Sequence, residues 1–154
     1  MSASHAEPFS RTFTVGWEHL DSNSHMANTA YLDLAVNARM MFFQANGFAM
    51  QEFEKQRFGP VVRRDEIEYF RELRLLDPVT VTVTLAGMSD DGSQFRLRSE
   101  FFRGDGKLAA TVTSAGGWLD LAARRLTAPP EGIVRAFHTL VRTDDFATLK
   151  SSVK

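Results

Sequence analysis

Tyr31-Leu32-Asp33-Leu34-Ala35-Val36-Asn37-Ala38-Arg39-Met40-Met41-Phe42-Phe43-Gln44-Ala45-Asn46-Gly47 is the stretch on which the fold turns. Tyr31, Leu34, Ala35, Ala38, Met41, Phe42 and Ala45 recur at helical spacing, and Gly47 supplies a stop. Leu32, Val36, Met40 and Phe43 fill much of the opposite side. A helix apolar nearly all round is a buried helix rather than a surface one. The pattern therefore predicts a central helix wrapped by a sheet.

The flanking segments supply that sheet. Before the helix, residues 9–17 alternate, with Phe9, Phe13, Val15 and Trp17 on one side and Ser10, Thr12 and Thr14 on the other, as a strand requires. A polar loop from Glu18 to about Ala27 joins this strand to the helix. After the helix, residues 50–57 read as a minor helix closed by Gly59-Pro60. The period then changes to two. Residues 61–73, 79–85, 95–101 and 108–121 read as four strands, with Asp77-Pro78, Asp90-Asp91-Gly92 and Gly104-Asp105-Gly106 as the turns between them. Residues 133–141 suggest a closing amphipathic helix, and the tail to Lys154 reads as loose. With no repeat, low-complexity segment or linker, this is one α+β domain over residues 1–154, its core at about 9–141.

Composition narrows the function. A hydrophobic fraction of 44% with 24% charged residues is that of an ordinary globular chain, and a formal net charge of -1 offers no nucleic-acid footprint. There is no cysteine, which excludes disulfides, thiol nucleophiles and cysteine-bound zinc. Met1 to Pro8 is polar and no segment is long and apolar enough to span a bilayer, so the expectation is a cytoplasmic protein without a membrane partner. Thirteen Phe against two Tyr and two Trp implies a core, or the walls of an apolar pocket.

The loop and the start of the helix carry the chemistry-bearing residues Asp21, His25, Asn28, Tyr31 and Arg39. In their spacing they resemble the 4-hydroxybenzoyl-CoA thioesterase-like family, and the strand order that follows extends the likeness over most of the chain. Ser24 stands where that family has Gly, Ala27 replaces the first Asn of a pair, and Val36 and Asn37 occupy positions where many relatives have Glu. The resemblance implies a hotdog fold, a curved antiparallel sheet around the central helix. It also implies an acyl-CoA thioesterase that releases the free acid and CoA, with no cofactor because coenzyme A belongs to the substrate. A single hotdog unit leaves a sheet edge and half a pocket open, so a homodimer or homotetramer is expected.

Thioester hydrolysis needs an attacking water or carboxylate and donors for the developing oxyanion. By the family comparison Asp21 is the carboxylate, as nucleophile or general base; an Asp that merely caps a turn is the alternative. A helix N-terminus favours negative charge, and the resemblance assigns the N–H near Asn28 to the thioester carbonyl. The Asn28 side chain could equally be an N-cap. His25 is a candidate acid, base or donor, or else a structural hydrogen-bonder. Tyr31 is a candidate for substrate contact, and Arg103 and Lys107 for the phosphates of CoA. His19, Asp21 and His25 would share one side of an extended segment, but loop-borne ligands with no cysteine and no further histidine downstream except His138 make a weak case for a metal, so none is expected. Two rivals share this fold: an enoyl-thioester hydratase or dehydratase, and an acyl-CoA-binding dimer with no activity.

Overall fold

The computed structural model describes residues 7–153, so the polar stretch at residues 1–6 lies outside the described chain, as does Lys154. Strand β1 (Phe9–Thr14) is followed by a short 3-10 turn, helix α1 (Asn28–Ala45) and helix α2 (Met50–Gln56). Strands β2 (Phe58–Tyr69), β3 (Pro78–Ser89), β4 (Gln94–Arg103) and β5 (Leu108–Asp120) form the meander. Strand β6 (Arg125–Thr127), helix α3 (Glu131–His138) and strand β7 (Arg142–Leu149) complete the order.

The main sheet runs β1-β3-β4-β5-β2, antiparallel throughout. β6 pairs with β5 beyond the start of β4, and β7 runs parallel to the second half of β3, beyond the point where β1 pairs with it. Period two sorts the strands cleanly. Val79, Val81, Val83, Leu85, Phe95, Leu97 and Phe101 are buried against α1, while Arg96, Arg98, Glu100, Thr111 and Thr113 face outward. This is the hotdog arrangement of a curved antiparallel sheet about a helix. The phenylalanines are mostly core: Phe42, Phe43, Phe95, Phe101 and Phe137 are fully buried with Trp118. Phe43, Trp118 and Phe137 lie with ring centroids 5.7 to 6.1 Å apart.

Three differences from the sequence pattern have physical causes. First, α1 is buried on one face only: Tyr31, Leu34, Ala35, Ala38, Phe42 and Phe43 meet the sheet, while Val36 and Met41 are 38% and 40% exposed. The sheet curls round one side of a cylinder and cannot cover the other. Second, β2 begins at Phe58 rather than after Gly59-Pro60, because edge strands accept Pro and the Pro60 nitrogen needs no partner there. Third, the tail is not loose. β7 extends the sheet, and beyond it the Ser151 hydroxyl donates to Asp91 Oδ2 at 2.5 Å. No helix among the described residues is long and apolar enough to cross a membrane.

Candidate active site

The loop between β1 and α1 is a tight excursion. An isolated bridge joins Leu20 to Met26, the Asp21 N–H donates to the His25 carbonyl at 2.9 Å, and the Ser24 N–H donates to the Asp21 carbonyl at 3.1 Å. Ser24 closes the turn with a φ of 64°. The Met26 N–H then donates to the Leu73 carbonyl at 2.7 Å, which ties the loop to the segment leaving β2.

That tie brings two pieces of chain to one cleft of about 360 Å3. From the loop and α1 come Asp21, His25, Asn28 and Tyr31; from the end of β2 come Tyr69, Phe70, Arg71 and Glu72. Asp21 Oδ1 accepts the Asn23 N–H at 2.8 Å and, less closely, the His25 N–H at 3.4 Å. The turn-capping role is therefore filled by one carboxylate oxygen. The other has no hydrogen-bond partner among the described residues.

Asn28 is the first residue of α1, and Ala27 before it has no side chain able to cap. The N-cap role considered for the Asn28 side chain is thus not the one it has. Its backbone carbonyl accepts the Tyr69 hydroxyl at 2.9 Å, fastening β2 to the helix start. The start of this 18-residue helix, without a side-chain cap, carries the positive end of the helix dipole, and its first residue Asn28 lines the cleft. His25 Nε2 lies 3.0 Å from Glu72 Oε2, within hydrogen-bond reach of that carboxylate. Tyr31 is buried between Tyr69 and Phe101, at ring distances of 5.2 and 5.3 Å. Burial, helped by Tyr69 and by the negative charge of Glu72, pushes its hydroxyl up to about 12, so Tyr31 stays a neutral donor.

Other candidates fall elsewhere. Arg103, at the end of β4, reaches Asp105 through Nη2 at 2.6 Å, and the Lys107 N–H donates to the same carboxylate at 3.1 Å. Arg103 foremost holds the Asp105 carboxyl down at about 2. Both cations belong to the β4–β5 turn and do not line the cleft. His19 Nδ1 accepts the Gly16 N–H at 2.9 Å, turning the ring away from Asp21 and His25 toward its own turn. Among the described residues no group of three or more His, Cys, Asp or Glu is arranged to hold a metal ion. Arg39, which does not line the cleft, is buried and donates to Ser114 Oγ at 2.8 Å, which in turn donates to Asp65 at 2.5 Å. Burial pulls the guanidinium below its ordinary range, and Asp65 opposes that pull.

Sequence reasoning did not single out Tyr69, Phe70 and Glu72. A signal was present, since Tyr69-Phe70 breaks the alternation at the strand's end and cannot place both rings in the core. The pair is accordingly 48% and 50% exposed beside the cleft.

Solved structures of known proteins share this fold. A hypothetical protein from Staphylococcus aureus, solved in complex with CoA, is 25% identical with a TM-score of 0.79, over 91% of this chain and 90% of its own. A 1,4-dihydroxy-2-naphthoyl-CoA thioesterase from Synechocystis is 15% identical with a TM-score of 0.77, over 86% of this chain and 96% of its own. A DHNA-CoA thioesterase from Staphylococcus aureus is 16% identical with a TM-score of 0.76, over 84% and 87%. At the two lower identities the likeness is one of fold. No curated protein matches the chain. The model of the Thioesterase-like superfamily matches residues 15–137, from the buried end of the first strand segment to the last core helix. That span holds the cleft, α1 and the whole meander, and the chain belongs to the thioesterase-like superfamily.

Proposed function

We propose that this chain hydrolyses an acyl-CoA thioester to the free acid and CoA, with Asp21 as the working carboxylate. The observation that carries this reading is the meeting of Asp21, His25 and the uncapped start of α1 in one open cleft. The thioester carbonyl would lie against the N–H groups near Asn28, where the helix dipole favours the developing oxyanion. Asp21, through the oxygen the turn leaves free, either attacks the carbonyl carbon, giving an anhydride that water then opens to the free acid and the regenerated carboxylate, or takes a proton from an attacking water. The C–S bond breaks, and the CoA thiolate takes up a proton. His25, positioned by Glu72, is the nearest donor for that proton, and Tyr31 contributes a neutral hydroxyl.

The same reading makes the enzyme a homodimer or a larger assembly of dimers. β2 has an unpaired edge, and the half-exposed Tyr69 and Phe70 leave the cleft open on that side. A second copy pairing there about a two-fold axis would close it.

The test is thiol release from a panel of acyl-CoA esters. Asp21→Asn should lower turnover by roughly a hundredfold or more while CoA binding persists. No release from any ester by folded, dimeric protein would reject the proposal. Loss of enoyl absorbance without thiol release would instead assign a hydratase. The capped state of Asp21 Oδ1 favours one second reading, a binder that holds acyl-CoA without turnover. For a binder, Asp21→Asn would leave ligand affinity and the absence of hydrolysis both unchanged.

A further inference from the structure

The outer face of the sheet carries a groove that the cleft does not use. Arg63, Arg64, Arg96 and Arg98 line it together with Glu66 and Asp145, around a cavity of about 430 Å3. A backbone irregularity builds this convergence. The β2–β5 pairing passes from Val62 opposite Gly116 to Arg64 opposite Ala115, so Arg63 is an extra residue in β2. In a regular strand Arg63 and Arg64 would point to opposite faces; the bulge lets both line one groove. The floor beneath them is Ala115 and Gly116, which add almost no bulk. A Cβ on Gly116 would overlap the Val61 carbonyl, so this floor stays open to whatever the arginines hold.

The charges are only partly satisfied. Arg98 makes a two-pronged pair with Asp145, both contacts at 2.9 Å, and Arg64 pairs with Glu66. Arg63 and Arg96 have no carboxylate partner among the described residues, so four guanidinium groups face two carboxylates. Planar guanidinium forks lining one cavity suit the oxygens of a phosphate group, whose multiple charge answers the excess of cations there. The groove also lies away from the cleft: Glu66 faces outward opposite Thr113, while Asp65 and Tyr69 point to the side of α1.

We infer that this groove binds a phosphorylated anion. Two sources share that chemistry. One is the phosphoadenosine end of a CoA ester passing over the free edge of β2, and the other is a separate phosphorylated metabolite. The experiment titrates the full protein, by calorimetry at low salt, with adenosine 3′,5′-bisphosphate, pyrophosphate and CoA. Wild type is compared with Arg63→Ala/Arg96→Ala and with Arg135→Ala, a surface control on α3. The double variant should bind these compounds roughly tenfold more weakly or worse, with Arg135→Ala unchanged. Should the double variant not fold by circular dichroism, Arg96→Gln alone should show the same direction of loss. A raised KM for acyl-CoA at unchanged kcat assigns the groove to the substrate; lost bisphosphate or pyrophosphate binding at unchanged KM assigns it to a separate metabolite. Equal binding by wild type and variants, or no binding of any of the three compounds by wild type, overturns the inference. Absence of hydrolysis in wild type would bear on the thioesterase proposal alone, because the titrations do not depend on turnover.

Discussion

Ser24 holds a left-handed backbone, with φ at 64°, at the turn that aims Asp21 and His25. A side chain in that region is strained, and glycine is the residue that accepts it freely. Ser24→Gly should therefore stabilise the fold by about 0.5 to 1 kcal/mol, read as an increased midpoint of thermal or denaturant unfolding. An unchanged or lower midpoint would mean that the Ser24 side chain contributes something its backbone does not reveal. Tyr31 gives a second prediction at this scale. Its folded-state hydroxyl is raised from 10.0 to about 12 by burial first and by Tyr69 and Glu72 second, so the native state keeps a proton that the unfolded chain releases. The stability it supports is whole below pH 10 and declines as pH rises toward 12. Tyr31→Phe should flatten the alkaline part of the stability profile; a profile unchanged in slope above pH 10 would count against this account.

At the scale of elements, β7 is a piece that the sequence pattern missed, and besides its pairing with β3 it has a clasp just beyond it at Asp91. Asp91 lies in the β3–β4 turn and accepts hydroxyls of Ser89 at 2.9 Å, Ser93 at 2.7 Å and Ser151 at 2.5 Å. Burial pushes its carboxyl up, but the bonds from Ser151, Ser93 and Ser89 outweigh that and hold it well below the usual range. Asp91→Ala should cost about 3 kcal/mol and speed amide exchange across β7 more than across β4. Uniform exchange across both strands would refute a local clasp. Because the folded-state carboxyl is depressed, its contribution is present above 3.8 and is lost as pH falls below that, so β7 should loosen first in acid. None of this is visible in Ser89, Asp91, Ser93 and Ser151 as letters. Asp90-Asp91-Gly92 reads as a hairpin turn and is one, yet the partner lies sixty positions away. The meander itself was legible because Val79 to Leu85 and Phe95 to Phe101 repeat every second residue. The loop half of the cleft was legible for a similar reason, since Asp21, His25, Asn28 and Tyr31 lie within eleven residues of one another. Its other wall was not, because Tyr69 and Glu72 arrive through the Met26–Leu73 contact, which no local spacing encodes.

For the whole molecule, the open edge of β2 is where the proposed second copy would pair. Its twelve residues include Arg63, Arg64, Asp65, Glu66 and Glu68, all exposed. Charges of both signs along an edge discourage indiscriminate strand addition, but they permit a self-complementary pairing in which each sign meets the other. The same edge ends in the exposed rings of Tyr69 and Phe70 at the mouth of the cleft. If a second copy completes the site there, assembly and turnover must share one concentration dependence. Sedimentation should give at least twice the chain mass, and the unfolding midpoint should rise with protein concentration. Thiol release per chain should fall on dilution through the dissociation constant. Ile67→Asp, which puts a charge on the half-buried side of β2, should shift both curves to higher concentration together. Full activity in a species of one chain mass would separate the site from the assembly. The cleft of Asp21, His25 and α1 would then have to be complete within a single chain.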